Sequence, residues 1–443
     1  MQLPLQRTNG INRATDETAR CEMLRAIPRY GARIPPNMEG IVRECEERNE
    51  LVKGPHIAQF ENAFAAMLGA DEAIATSYGR MAFYYIVKAF GFAPGSEIIL
   101  PALTFWVIPE LARVAGLKPV FADVDPRTFT MSVTSLERAI TARTCAIVPT
   151  HLYGLPCDMD AILRLAERHH LAVIEDCAHA IGARYRGRMV GTLGDAALFS
   201  FQTLKPLNTF RGGMAIVRDG ALRGKVRSRA ESEPWPHEWE VIELLRFARI
   251  ERTFMQPGAF TFSGFPVLWL SSFLNARPDV YLWERIRPLD VLPPSYTERY
   301  SNVQAAIGLA GLRKLDEWTA RTRHHASILG RALEGLVQQP FVPAESEHVY
   351  YQYCLYVPDR DRFVRESIRR GLDVETLHMD VCTRVELFKE YWRDAPGADK
   401  ASQAVQLPVY ASLSDDDIQR VAILTRRILK GMQQDHGRNG RAA

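Results

Sequence analysis

Cysteine is sparse and unpatterned in this chain. The seven cysteines, Cys21, Cys45, Cys145, Cys157, Cys177, Cys354 and Cys382, are odd in number and scattered, with no C-x-x-C pair. That usage argues against a disulfide or zinc framework and predicts reduced thiols in a cytosol. Excess charge of one sign is also missing: 55 Lys and Arg against 52 Asp and Glu leave +3. No basic stripe is present to track a phosphate backbone, so nucleic acid is not an expected partner. The longest apolar patch, F-P-V-L-W-L-S-S-F-L at 265–274, is well short of the ~20 residues a spanning helix needs. The N-terminus M-Q-L-P-L-Q-R-T-N-G lacks a basic region followed by an apolar one, so no secretory signal is expected and the protein is expected in the cytoplasm. Nucleotide and metal motifs are missing too. There is no G-x-G-x-x-G, the stretch G-A-L-R-G-K-V at 220–226 is not a P-loop, and H-E-W-E-V at 237–241 lacks the second histidine of a zinc-protease helix. No metal is expected.

What is present is an alternation of short β-rich runs with longer helical ones from about residue 71, the pattern of an α/β fold with a mostly parallel sheet. E-A-I-A-T-S, E-I-I-L-P, K-P-V-F-A-D-V, C-A-I-V-P-T, L-A-V-I-E-D, A-A-L-F-S-F and G-M-A-I-V-R-D predict a sheet of roughly seven strands. The chain divides into an N-terminal segment (1–50), a large domain (51–220), and an aromatic-rich insertion or lid without a clear period (221–294). A helix with a smaller C-terminal α+β domain (295–432) and a tail expected to be disordered (433–443) follow.

In an open α/β sheet ligands bind outside the carboxyl ends of the strands. Three such ends carry chemistry. Asp176 closes L-A-V-I-E-D, Gly79 and Arg80 lie between a strand and a helix, and Lys205 follows A-A-L-F-S-F. Each has an ordinary alternative: an aspartate caps helices, Gly-Arg serves a turn, and a lone lysine is usually a solvated loop residue. Together an anion cradle, a buried carboxylate and an isolated lysine are the parts that hold pyridoxal phosphate by its phosphate, ring nitrogen and aldehyde.

The ordered series P-A-L-T-F-W, F-A-D-V-D, H-L-Y-G, D-M-D, V-I-E-D-C-A-H-A-I-G-A, G-D-A-A-L-F-S-F-Q-T-L-K, R-G-G-M-A and Q-A-A-I-G-L resembles the DegT/StrS sugar aminotransferases. These are pyridoxal-phosphate enzymes of the aspartate-aminotransferase (type I) fold. The similarity runs from about residue 54 to 410, interrupted by 221–294. It implies a homodimer with active sites at its interface, and transfer of an amino group from glutamate or glutamine to a nucleotide-linked keto sugar. By that resemblance Lys205 bonds the cofactor aldehyde, Asp176 pairs with the pyridine nitrogen, and His179 lies near the phenolic oxygen. Ser200 and the Gly79–Arg80 turn hold the phosphate, and Phe105 stacks on the ring. His378 and Arg299 are implied near the substrate.

The departures from the family pattern are specific. Arg80 stands where Thr is common, and Thr297 replaces the asparagine of G-x-N-x-R. The segment 221–294 concentrates Phe254, Phe260, Phe262, Phe265, Trp269 and Phe273, an aromatic set read as local core or dimer contact before a cover for a hydrophobic acceptor or a membrane-surface contact. Two other readings keep the fold: a dehydratase or deoxygenase acting on a sugar or cyclitol, against which the retained Lys205 counts, and a non-catalytic cofactor-binding regulator.

Overall fold

The computed structural model describes residues 25–439 apart from 32, 275–284, 377 and 378. Its elements, in chain order, begin with helices α1 (Met38–Glu47) and α2 (His56–Leu68), strand β1 (Ala73–Thr76) and helix α3 (Gly79–Phe90). Strand β2 (Glu97–Pro101), helix α4 (Val107–Val114), strands β3 (Lys118–Ala122) and β4 (Thr144–Ile147), helix α5 (Met159–His169), and strands β5 (Ala172–Asp176), β6 (Ala196–Ser200) and β7 (Gly213–Val217) follow. The seven strands form one sheet in the order β1-β7-β6-β5-β4-β2-β3, as the alternation predicts. Ile98, Ile99 and Leu100 of β2 are fully buried, because helices cover both faces and a strand in such a sheet is apolar on both sides.

Only β7 runs against its neighbours, antiparallel to β1 and to β6. Two reversals restore direction, so the carboxyl ends of β1, β5 and β6 share one edge of the sheet. The register places Thr76 opposite Gly213 and Gly213 opposite Ser200 at that edge. A Cβ on Gly213 would fall 2.2 Å from the Gly79 nitrogen, so only glycine lets the start of α3 close over the sheet.

The smaller unit holds the antiparallel pair β8 (Tyr353–Leu355) and β9 (Val405–Leu407) against α11 (Leu315–Leu333), α12 (Arg360–Arg369) and α13 (Asp415–Asn439), which follow α10 (Asn302–Leu312). Ile27 lies in its core with Leu329, Phe363 and Ile418, so part of the N-terminal segment belongs to this unit. Two expectations are corrected here. The described residues of the 221–294 segment contain four helices: α6 (Gly220–Ser232), α7 (Glu238–Phe254), α8 (Pro257–Phe262) and α9 (Phe265–Leu274). Its period is hidden in the sequence because F-P-V-L-W-L-S-S-F-L is apolar nearly all round and presents no single stripe. The local-core half of the reading of its aromatics holds for Phe260, which is buried, and not for Phe254, Phe262, Trp269 and Phe273, which are exposed; the dimer-contact half concerns a second chain. The tail is also helical as far as Asn439, since extending a helix that packing has already nucleated adds a backbone hydrogen bond per residue. Residues 440–443 lie outside the described residues.

No described helix is long and apolar enough to cross a membrane.

Candidate active site

The shared strand edge opens into a cleft lined by polar and aromatic side chains. Asp176, His179, Ser200, Lys205, Phe105 and the Gly79–Arg80 turn all line it.

The Glu175–Asp176 pair shows how the strand sorts its side chains. Successive residues of a strand face opposite ways. Glu175, fully buried, accepts the backbone N–H groups of Gly191, Leu193 and Gly194 at 2.7–2.8 Å and pairs with His151 Nε2 at 3.0 Å. Asp176 faces the cleft, and its Oδ1 accepts the Ala178 N–H at 3.0 Å. Burial raises the Asp176 pKa, while the Ala178 amide and the Lys205 charge pull it back. His151, Glu175 and Cys177 also bring their ligand atoms within 4.8 Å of one another. The hydrogen bonds of Glu175, and the acceptance of the Cys157 N–H by His151 Nδ1, account for that cluster as a structural tie beneath β5.

Lys205 sits in a turn closed by its own N–H donating to the Gln202 carbonyl. Its Nζ lies 2.7 Å from His179 Nε2 and 5.4 Å from the Tyr351 ring centroid. Burial pushes its pKa down to about 8; Asp176 opposes the shift and Arg80 adds to it. The His179 ring is held on its other side, where Nδ1 accepts the Tyr153 N–H at 3.4 Å, and Tyr351 stacks on it at 4.2 Å. An accepting Nδ1 leaves the proton on Nε2, from which His179 donates to the lysine when that amine is neutral.

At the other end of the cleft α3 begins at Gly79, where a Cβ would meet the Phe199 carbonyl oxygen at 2.7 Å. The Arg80 guanidinium lies 4.9–5.1 Å from the ring centroids of Tyr78, Phe105 and Tyr296 and donates to the Tyr296 hydroxyl. Helix-terminal amides, a buried guanidinium and the Ser200 hydroxyl are a donor set for a phosphate. A carboxylate and an amine complete the cleft.

One implied residue is not brought there. Arg299 stacks on Trp235 at 3.9 Å and lines a separate cavity with Arg227 and Glu61. His378 lies outside the described residues, although its neighbour Met379 lines the cleft. Sequence reasoning missed Tyr351, Tyr296, Thr150 and Gln202. Thr150 and Gln202 end or follow apolar strand runs and were findable by that rule; Tyr351 and Tyr296 come from distant segments with no local signal.

Residues 34–424 match the DegT/DnrJ/EryC1/StrS aminotransferase family. The spore coat polysaccharide biosynthesis protein SpsC of Bacillus subtilis is 33% identical over 406 residues, covering 88% of this chain and 94% of that protein. GDP-perosamine synthase of Caulobacter vibrioides is 32% identical over 407 residues, covering 90% and 96%. The crystal structure of the aminotransferase TlmJ from Streptoalloteichus hindustanus superposes with a TM-score of 0.74 at 26% identity, covering 92% of this chain and all of that one. A site built on strand ends, a match over most of the chain and relatives of similar length agree: the protein belongs to the DegT/DnrJ/EryC1/StrS aminotransferase family and is an aminotransferase.

Proposed function

We propose that this aminotransferase moves an amino group from glutamate or glutamine to a nucleotide-linked keto sugar, with pyridoxal 5'-phosphate as the carrier. The observation that carries the reading is the joint placement of Lys205, Asp176 and the Gly79–Arg80 turn around one cleft. The donor set fits that cofactor. Gly79, Arg80 and Ser200 would hold its phosphate, Phe105 would lie against the ring, and Asp176 would keep the ring nitrogen protonated. When bound, the cofactor supplies an aldehyde for the amine and an electron sink for the substrate Cα.

The protein's own groups handle the proton. Lys205 Nζ, its pKa lowered by burial to about 8, releases its proton more readily than an exposed lysine and can carry one to and from the substrate. His179 Nε2, 2.7 Å away, orients the lysine, and its ring is fixed by Tyr153 and Tyr351. His378 remains a candidate for substrate contact. The sugar acceptor is supported by relatives such as the GDP-perosamine synthase of Caulobacter vibrioides. A cytosolic homodimer is the assembly the family resemblance implies, and the six described cysteines are all free thiols.

Borohydride reduction of the holoenzyme followed by peptide mapping tests the assignment. The cofactor mass is expected on Lys205, and labelling of another lysine overturns it. Glutamate alone is expected to release 2-oxoglutarate.

A further inference from the structure

Residues 29–33 carry two arginines into the smaller unit, and their surroundings differ. Arg29 is engaged by acids: its Nε and Nη2 contact Asp373 at 2.6–2.9 Å, and Nη1 contacts Glu375 at 3.3 Å. Arg33 is 7% exposed, and its one hydrogen bond among the described residues runs from Nη2 to Thr322 Oγ1 at 3.5 Å, the outer limit for such a bond. No carboxylate among the described residues pairs with it. A guanidinium presents five N–H donors, and leaving them unmet in a buried place is costly.

Arg33 lines a cavity together with Arg29, Glu375, Leu204, Tyr351 and Gln352, with Glu375 engaged by Arg29. The chain reaches that place only through close packing, since a Cβ on Gly31 would fall 2.2 Å from the Tyr410 ring. Two of the lining residues belong equally to the active site. Leu204 immediately precedes Lys205, and Tyr351 stacks on His179 while lying 5.4 Å from Lys205 Nζ. Tyr351 therefore borders both the cavity of this buried, under-satisfied cation and the reacting amine. Burial pushes the Arg33 pKa down to about 10, which leaves it charged at neutral pH.

We propose that Arg33 receives a carboxylate of the amino-acid donor, an inference that rests on the amino-transfer reading above. A single guanidinium bordered by Tyr351 and Leu204 is suited to a small carboxylate rather than a nucleotide. The planar fork of a guanidinium matches a carboxylate in two-point contact.

The test uses holoenzyme and follows loss of the cofactor's visible absorption with L-glutamate and, separately, L-alanine. Arg33→Met is expected to raise the half-saturating L-glutamate concentration by about tenfold or more, with cofactor content unchanged, and Arg33→Lys to recover part of the loss. A rise with glutamate only assigns the distal carboxylate to Arg33, and a rise with both amino acids assigns the α-carboxylate. Unchanged half-saturation with both, or a rise confined to the sugar acceptor, overturns the inference. If Arg33→Met does not fold, succinate supplies the second measurement. It should compete with glutamate in the wild type and more weakly in Arg33→Lys; no competition overturns the proposal. A wild type that reacts with no amino acid would instead sink the amino-transfer reading.

Discussion

Lys205 Nζ and His179 Nε2 stand 2.7 Å apart, and the Tyr153 amide on the far nitrogen of that ring favours a proton on Nε2. The lysine accepts from it in its neutral form, toward which burial lowers its pKa.

A pH dependence follows for cofactor capture. Only the neutral amine attacks an aldehyde, so the rate at which cofactor-free protein takes up pyridoxal phosphate should rise with pH through about 8. Asp176 is the negative group that favours the charged lysine, with Arg80 acting against it. Asp176→Asn should therefore move the inflection to lower pH. Stopped-flow absorbance decides it, and an inflection that stays put or rises contradicts the electrostatic account.

Gly213→Ala should loosen the anion end of the cleft. The added methyl would meet the Gly79 nitrogen at 2.2 Å and its Cα at 2.4 Å, so β7 and the start of α3 must part. Overpacking of this kind costs about 1–3 kcal/mol. Thermal unfolding should register the loss, and fluorescence titration should show weaker binding of pyridoxal phosphate.

Glu175→Ala should destabilise the fold by about 3–5 kcal/mol, because it removes one partner of a buried ion pair and strips three backbone N–H groups of their acceptor. Burial alone would raise the Glu175 pKa, but the His151 contact and the Gly191 and Gly194 amides outweigh it and hold it below its usual value. A depressed carboxylate adds stability above its unfolded pKa and loses it as the pH falls through the folded value. The wild type should thus lose stability in acid more steeply than the variant; parallel urea midpoints against pH would count against this pairing.

Glu251→Gln should stabilise the protein at pH 8. Burial pushes the Glu251 carboxyl up to about 7, with the Thr203 hydroxyl acting against the shift. A raised carboxylate pKa means that folding takes up a proton between the unfolded and folded values, so stability falls across that window and the penalty is complete above about pH 7. Removing the charge should recover about 1 kcal/mol at pH 8, allowing for partial exposure, and nothing near pH 4. Calorimetry at the two pH values checks the sign.

Much of the site is legible in the order of the residues. Asp176 and Lys205 follow from the rule that ligands meet the carboxyl ends of parallel strands, the Gly79–Arg80 turn from the chemistry of helix N-termini, and Ser200 from the family resemblance alone. The helices of 221–294 are not legible in that way, because residues 265–274 are apolar on nearly every side and carry no amphipathic period. Nor are Tyr351, which approaches Lys205, and Arg33, which shares a cavity with Tyr351; they come from segments far along the chain on either side.

Periodicity and strand-end chemistry are local properties, written in neighbouring residues; they suffice for the α/β class, the strand count and the three chemical groups of the cleft. The His179–Lys205 proton arrangement, the box of rings around Arg80, the displacement of Arg299 into another cavity and the placing of Arg33 in one cavity with Tyr351 depend on contacts between distant segments. Long-range packing alone brings those side chains within a few ångströms, and no local pattern in the chain encodes such a distance.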